Sequence, residues 1–558
     1  MSTTGSYWSR FAQGRLSRRR ALTGAAGLGI GAAALSLVGC GGGGDGGGGS
    51  GGSASTQDEG TPKPGGTYTS AFTGPFAGVD PHNSVYGGSG LVPLGYNYLL
   101  RTSLLAPQEG VIFDLAEAQE LAADRVTTTF KIRQNVMINP NGTTVPARAL
   151  DSEDVKLSFE RVLNPAAASN GFSWLNEWVD KMDTPDRNTF RIVTKAPYAW
   201  VINNVGNNLY SAIVPKEWLT HADLRKTIVG GGPFLLKELT EGSQAVMDKN
   251  PTYWQSGKPY LDRYVLKTFA DLAAHRTAFL AGQVDYYPAA NPDEAKEILN
   301  SRKDVVYFQD PNFGFNSFWM NVRVKPWDDA RVRRAVSRAI NRDEYIQLIS
   351  RGAGTPAGII VPTMTGYALP QDELKTKLQP FNVQDAKQLF EAAGVKEFSV
   401  THPTSSNMVD YVNIFVRQMQ AAGVTVKPDP QDAGTWVAGY FQSRLTASLS
   451  LNQEYANPDF ALHWYVTNGI TGNGRYDTGF SDPEVDAAVK KAAGTLDETQ
   501  RKAAYLEAQR VIYAKDPPFL NFFNKPTDSV LIKALKGVHR GVGSLATAFF
   551  PGYWLDRA

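Results

Sequence analysis

Histidine and cysteine, the side chains that most often carry nucleophilic or metal chemistry, are few in this chain. The 558 residues contain six histidines and one cysteine. No two histidines stand three or four residues apart, so the sequence offers no spacing for a metal site. Asp459 and His463 are spaced to pair across one helix turn, but no nucleophile accompanies them. We therefore expect no catalytic residue, no metal and no cofactor.

Short sequence motifs for enzymes are equally weak. Gly48 to Gly52 fits the hydrolase pattern G-x-S-x-G, but it lies in a Gly/Ser run with no strand before it and no helix after it. Gly257-Lys258 is followed by Pro259 and lacks the first glycine of a phosphate-binding loop. The sequence therefore does not predict an enzyme.

Cys40 is placed for a different chemistry, the attachment of a lipid. A basic stretch at 15–20 precedes eighteen uncharged residues at 21–38, which is typical of an export signal. Leu37-Val38-Gly39-Cys40 resembles the bacterial lipobox, and 17–22 resembles the twin-arginine pattern. We expect a signal peptide at 1–39 and a lipid-anchored chain at the outer face of the cell membrane. A single membrane-spanning anchor stays open as the alternative, although eighteen residues are short of the roughly 20 that a spanning helix needs.

The charge of the processed chain argues against nucleic acid as a partner. Removing 1–39 takes away five basic residues and no acidic ones, so the formal charge changes from +2 to −3. A chain close to neutral lacks the broad basic surface of a nucleic-acid binder. With Cys40 acylated, no disulfide is available, and the rest is long enough for two or three domain-sized cores.

The chain after Cys40 begins with a predicted flexible tether at 40–64, because its Gly/Ser composition cannot bury apolar surface. Beyond it, alternation and helical periodicity predict a mixed α/β protein. The predicted strands are 67–72, 125–133, 189–193 and 264–269, and the predicted helices are 151–163, 331–350, 385–393, 409–421, 483–493 and 498–513. The arginines at 331, 333, 334, 338 and 342 predict a solvated helix face.

Several sequence blocks, in order along the chain, resemble solute-binding proteins of peptide-type ABC importers, solute-binding protein family 5. The blocks are Val79-Asp80-Pro81-His82-Asn83, Leu115 to Arg161 with its Ser158-Phe159-Glu160-Arg161, Gly230 to Phe234, Asn250 to Trp254, Gly282 to Asp285, Asn321 to Ala335, Asp385 to Gly394 and Asp482 to Asp486. The third block departs from the family pattern by the loss of a threonine.

The resemblance implies an α/β, two-lobed periplasmic-binding-protein fold (type II, cluster C) with a subdomain inserted in the first lobe. The family domain would span 65–525. Lobe I would comprise about 61–110, 185–300 and 525–558, the insert about 111–184, and lobe II about 301–524. Such lobes close over a solute by hinge motion.

The resemblance also implies where a solute binds. In peptide binders of the family an acidic side chain, a few residues before an x-Pro pair, holds the amine of the peptide. Here Glu454 stands at that position before Asn457-Pro458, where the family has aspartate. Trp436 matches a tryptophan that lines side-chain pockets. Tyr86, Phe315, Trp319 and Asn457 complete the candidate ligand-binding residues, with core packing as the alternative for the aromatic residues.

The function implied is an extracytoplasmic substrate-binding lipoprotein that captures a peptide or peptide-like solute and delivers it to an ABC permease with its ATPase subunits. We expect a monomer that performs no chemistry on the solute. A nickel chelate, a sugar or an opine is the alternative solute. A secreted hydrolase or a cell-wall interaction protein is the alternative from another class.

Overall fold

The computed structural model describes residues 60–73, 78–83, 90–102, 110–164, 169, 171–207, 210–404, 408–452, 457–467, 477–539 and 550–557. Thr61–Ala558 forms one compact unit. The predictions for Cys40, Tyr86 and Glu454, for the signal peptide and for most of the tether lie outside the described residues. None of the helices in the described part of the chain has the length and apolar composition to cross a lipid bilayer.

The first lobe is built on a four-stranded sheet. Its strands, in spatial order, are Thr67–Thr73, Arg263–Phe269, Gln244–Lys249 and Phe234–Thr240. The first two pair in parallel although 196 residues separate Thr67 from Arg263. Both were predicted from their β-branched and aromatic residues. Tyr68 and Tyr264 contact each other in this sheet, with 5.8 Å between ring centroids.

A second four-stranded sheet, entirely antiparallel, covers most of the predicted insert and also includes Thr189–Thr194, beyond the predicted boundary at 184. Its strands, in spatial order, are Ala116–Leu121, Thr127–Ile132, Thr189–Thr194 and Val179–Asp186. The helix Ser152–Val162 packs against it, with the rings of Phe159 and Phe190 stacked at 5.9 Å. Asp151 and Asp154 form a capping box at its start, which explains why the acidic cluster predicts a helix there.

The second lobe is built on a five-stranded sheet. Its strands, in spatial order, are Thr425–Gln431, Glu397–Pro403, Ala447–Asn452, Phe315–Met320 and Phe519–Asn521. One face carries the main core, in which Phe318 contacts Phe415 at 4.8 Å and Trp327 at 5.4 Å. The helices that contribute to this core are Ala330–Ala339, Arg342–Ser350, Val383–Ala393 and Val409–Ala421.

The predicted helix at 331–350 is two helices, and its predicted solvated basic face is wrong for two of its five arginines. Asn341 interrupts the helix and caps the second half by accepting the Glu344 N–H at 3.2 Å. Arg333 is buried and donates to the carbonyls of Trp327 and Asp516. Arg342 is buried as well and donates to the carbonyl of Asn521. The run is therefore structural.

Two chain segments cross between the lobes side by side. A three-stranded sheet has Thr527–Ile532 as its central strand, between Tyr286–Ala289 and Val305–Asp310. The two outer strands precede the first crossing along the chain, and the central strand follows the second crossing. The Asn524 amide donates to the carbonyls of Asn312 at 2.8 Å and Gly314 at 2.6 Å. One side chain thus ties both crossings together, as expected for a hinge.

The remaining elements complete both lobes. The helices are Val92–Gly95, Phe172–Trp178, Val201–Val205, Leu272–Leu280, Pro292–Ser301, Gln371–Glu373, Ala433–Phe441, Pro458–Leu462, Pro483–Gly494 and Glu498–Ala514, with a π-helical turn at Leu374–Leu378 and 3-10 turns at His463–Tyr465 and Phe550–Gly552. The short strands are Leu100–Arg101, Ile112–Phe113, Thr355–Pro356, Phe523–Asn524, Leu535–Lys536 and Trp554–Leu555. The predicted helices at 409–421, 483–493 and 498–513 are confirmed to within one residue. The numbered lobe boundaries stay predictions.

Candidate functional site

Three of the predicted aromatic residues belong to one cluster on the second lobe. Trp436 stacks on Tyr440 with 4.9 Å between centroids, and Tyr440 meets Trp319 edge-on at 5.9 Å. The cluster continues through Trp464 and Phe519 to Phe315. Phe315 and Trp319 alternate with Phe318 along the same strand, so they face away from the main core.

These three aromatic residues differ in how much of their surface is exposed to solvent. Trp319 has no exposed surface and Phe315 is nearly as buried, so both act as packing in this structure. Trp436 is half-buried, and its indole N–H donates to the Ser448 hydroxyl at 2.9 Å. Trp436 is therefore the most exposed member of the cluster, and its role as a binding residue stays a prediction.

The segment that contains Glu454 lies between two described elements. The strand Ala447–Asn452 ends just before it, and the helix Pro458–Leu462 begins just after it. Asn457 caps that helix by accepting the Phe460 N–H at 3.0 Å. The Asn457 amide also donates to the side chain of Asn204, on the first lobe, at 3.0 Å. Both ends of the Asn457 amide are thus engaged in the protein.

Asp459, two residues beyond Asn457, accepts hydrogen bonds from both lobes. The Tyr198 hydroxyl donates to it at 2.8 Å and the Tyr505 hydroxyl at 2.9 Å. Trp200 in turn donates to the Tyr505 hydroxyl at 2.7 Å, and Asn204 donates to the Tyr198 hydroxyl at 2.9 Å. A buried carboxylate needs such partners to offset its lost hydration.

The electrostatics of this network follow from its burial. Burial raises the pKa of Asp459, and the charge of His463 and the tyrosine hydroxyls oppose only part of that rise. Burial and the neighbouring carboxylate raise the pKa values of Tyr198 and Tyr505 well above the ordinary range, so both hydroxyls keep their protons. The network therefore acts as a set of fixed donors that holds the helix Pro458–Leu462 against the first lobe.

The predicted pairing of Asp459 with His463 does not produce the geometry of a catalytic triad. The Nδ1 of His463 bonds to the backbone carbonyl of Asp459 at 2.8 Å and stands 3.9 Å from its carboxylate. The Nε2 faces Glu177 at 3.3 Å, not a hydroxyl or thiol nucleophile. Within the described ranges, no three acidic or histidine side chains are grouped to hold a metal ion.

Sequence reasoning missed Tyr198, Asn204 and Asp459 as the residues that join the lobes. Asn204 and Asn457 are 253 residues apart, so no local pattern pairs them. A signal was present in the segment 198–210, which mixes tyrosine, tryptophan and asparagine where a simple core segment would be aliphatic.

The two lobes, the insert and the bridged boundary define a two-lobed periplasmic-binding-protein fold. A model of the bacterial extracellular solute-binding proteins, family 5 (middle region), matches residues 110–473, more than half of the chain. The chain belongs to this family, which confirms the resemblance found in its sequence blocks and the fold that the resemblance implied.

Individual relatives and solved structures are similar to this chain at low identity. The di/tripeptide-binding protein 2 of Pseudomonas aeruginosa is 25% identical over 435 residues, covering 73% of this chain and 80% of its own. The periplasmic binding protein DppA of Helicobacter pylori, solved with the peptide STSA, is 21% identical with a TM-score of 0.78, covering 89% and 99% of the two chains. The binding protein AgaA of A. tumefaciens R10, solved with agropinic acid, is 22% identical with a TM-score of 0.75, covering 88% and 99%.

Proposed function

We propose that this chain is the extracytoplasmic substrate-binding lipoprotein of an ABC importer and that it captures peptides or peptide-like solutes between its lobes. One observation carries the proposal. Asn457 and Asp459, just after the predicted amine-binding segment, are hydrogen-bonded to Asn204 and Tyr198 of the other lobe. The chain that follows the Glu454 segment therefore lies at the lobe boundary, where a solute is enclosed when the lobes close.

The chemistry of capture follows from enclosing a charged solute away from water. The amine of a peptide that loses its hydration needs a carboxylate partner, and Glu454 supplies one. The backbone of an extended peptide pairs with protein groups as an added strand does. Trp436 supplies an aromatic wall for a side chain of the solute. Asn457, directly after Glu454-Tyr455-Ala456 in the sequence, is itself held by its contacts with Phe460 and Asn204.

The partners of this chain would be those of a substrate-binding lipoprotein of an ABC importer. Cys40 carries the lipid, the tether keeps the lobes near the membrane, and a permease with ATPase subunits receives the solute. The binding protein itself leaves the solute unchanged, and it works as a monomer. Relatives named for dipeptides and tripeptides support a peptide as the solute.

A non-peptide solute is the second candidate, and two observations favour it. Glu454 replaces the aspartate of the family pattern and adds one methylene, which changes the distance between the carboxylate and the cation it holds. The related fold of AgaA was solved with agropinic acid, which is not a peptide. An opine is therefore the alternative solute to a peptide.

Calorimetry with Glu454→Ala tests the proposal. We expect wild-type chain to bind a member of a dipeptide and tripeptide panel that starts with L-alanyl-L-alanine. The variant should bind that peptide about 100-fold or more weakly, because removing one partner of a buried ion pair costs about 3–5 kcal/mol.

The matched control is Glu391→Ala, which removes an exposed carboxylate from the helix Val383–Ala393. It should bind the peptide as wild type does. Equal peptide affinity in Glu454→Ala and wild type would contradict the amine contact. Binding of agropinic acid with no binding of any peptide would favour the second candidate.

A further inference from the structure

His463 and Glu177 meet across the boundary between the lobes. His463 follows the helix Pro458–Leu462 in the second lobe, and Glu177 lies on the insert helix Phe172–Trp178. The Nε2 of His463 is 3.3 Å from the Glu177 carboxylate. The histidine side chain is 6% exposed and the glutamate 43%, so the contact lies at the edge of a buried interface. It borders an open cavity of about 360 Å³ that is lined by residues of both lobes.

The hydrogen bonds of His463 require both of its ring nitrogens to donate. Its Nδ1 faces the backbone carbonyl of Asp459 at 2.8 Å, and its Nε2 faces the Glu177 carboxylate. A carbonyl and a carboxylate have no proton to give, so a neutral imidazole satisfies only one of them. The contact is complete only with the imidazolium form, in which both nitrogens carry protons.

The charges around His463 favour that form. Burial lowers the pKa of His463, but the Asp459 and Glu177 carboxylates outweigh it and raise the pKa to about 9. Burial alone would raise the pKa of Glu177, but His463, Lys490 and Lys195 hold it below its ordinary value. The ionisable groups that face this pair are Asp459 on its own segment, Glu177 on the insert helix, Lys195 and Tyr198 on the segment that follows the insert, Asp486 and Lys490 on the helix Pro483–Gly494, and Tyr505 on the helix Glu498–Ala514.

Separation of the lobes changes only part of this environment. Asp459 belongs to the same segment as His463 and stays beside it when the lobes part. Glu177 belongs to the other lobe and moves away from His463 when the lobes separate. The open form therefore holds the second proton of His463 less tightly than the closed form does.

We propose that Glu177 and His463 form an interlobe latch that is complete only when His463 is doubly protonated, so that closing of the lobes takes up a proton. The inference rests on the proposed function, because it assumes that the lobes open and close around a solute. The closed form is favoured at neutral and lower pH, and that preference is lost as the pH rises through about 9. Glu177 is a positioning residue here, since it acts on the solute only through lobe closure.

Small-angle X-ray scattering of the solute-free full chain tests the latch. We expect the radius of gyration of wild type to increase between pH 7 and pH 9.5 as the latch opens. Glu177→Gln keeps the shape of the side chain and removes its charge, so it should show the larger radius at both pH values. Glu160→Gln is the matched control, because Glu160 is 41% exposed and pairs with Lys156 inside one helix of the insert. It should follow wild type.

Two further readouts separate a latch from a folding defect. In a nuclear magnetic resonance titration, Glu177→Gln should lower the pKa of His463, identified by loss of its signal in His463→Gln. The amine of L-alanyl-L-alanine has a pKa of about 8 and loses its proton between pH 7 and 9.5, so the affinity should fall in both proteins. The fall should be about two- to tenfold larger in wild type than in Glu177→Gln, since one pKa unit corresponds to tenfold.

A radius that does not change with pH in wild type, or the same pH dependence in Glu177→Gln, would overturn the latch. The scattering needs no solute, so it separates the two proposals. A pH-dependent radius that requires Glu177 supports the latch even if no peptide binds. Peptide binding that requires Glu454, together with an unchanging radius, supports the proposed function and rejects the latch.

Discussion

Arg161 joins two of the sequence blocks that carry the family resemblance. It donates to both carboxylate oxygens of Asp80, at 2.9 and 2.8 Å, and approaches the Nδ1 of His82 at 3.0 Å. The Nε2 of His82 faces the carbonyl of Ala212 at 2.8 Å. His82 therefore accepts on one side and donates on the other, which requires a neutral ring. The Asp80-Pro81-His82 turn thus ties the start of the first lobe to the insert helix.

Because the folded protein keeps His82 neutral, we expect the protein to lose stability in acid. Burial and the positive charge of Arg161 lower the pKa of His82 to about 4, below its ordinary value of 6.5. Between these two pH values the unfolded chain binds a proton that the folded chain does not, so stability falls as the pH falls. We expect this residue to remove about 2–3 kcal/mol from the free energy of unfolding between pH 7 and pH 4.

Urea unfolding at pH 7, 5.5 and 4 checks the contribution of His82. His82→Asn should lose less stability over this range than wild type does, although it is less stable than wild type at pH 7. His221→Asn, which replaces an exposed histidine, should follow wild type. Parallel losses in wild type and His82→Asn would show that His82 does not carry the effect.

At the scale of elements, sequence periodicity predicted several helices correctly but missed a helix break and the burial of two arginines. Helices at 409–421 and 483–493 were predicted because apolar residues recur on one face, and Asp482 also marks the start of the second helix as its capping residue. The break at Asn341 was missed because the apolar periodicity continues through it. Burial of Arg333 and Arg342 was missed because their partners are backbone carbonyls of Asp516 and Asn521, which are remote in sequence.

The two crossing segments between the lobes give a prediction at this scale. Asn524→Ala removes both hydrogen bonds to the carbonyls of Asn312 and Gly314. Each such bond contributes about 1 kcal/mol. We expect the amides of residues 312–316 to exchange with deuterium about 5- to 30-fold faster, because local opening of the crossing becomes easier.

Hydrogen exchange followed by mass spectrometry measures that opening. Asn382→Ala is the control, since Asn382 caps the helix Val383–Ala393 in the second lobe and does not contact the crossings. Its effect should stay within the first turn of that helix. Unchanged exchange at 312–316 in Asn524→Ala would mean that other contacts set the stability of the hinge.

At the scale of the whole molecule, the sequence was sufficient for the family and the two-lobed fold, because several short blocks in order specify them together. It was insufficient for the contacts that join the lobes. Only tertiary folding brings Asn204 close to Asn457, and only tertiary folding brings Tyr198 close to Asp459. The predicted Trp436, Phe315 and Trp319 do form one cluster, yet sequence alone could not show that Trp319 is fully enclosed.

Capture of a peptide or peptide-like solute is tested most directly by identifying what the purified chain carries. Full chain isolated under native conditions is denatured, and the released small molecules are analysed by mass spectrometry, with Glu454→Ala as the comparison. We expect one or a few peptides or peptide-like amines, near one per wild-type chain and depleted in the variant. Release of only solutes that lack an amine, in equal amounts from wild type and Glu454→Ala, would contradict capture of a peptide or peptide-like solute at this site.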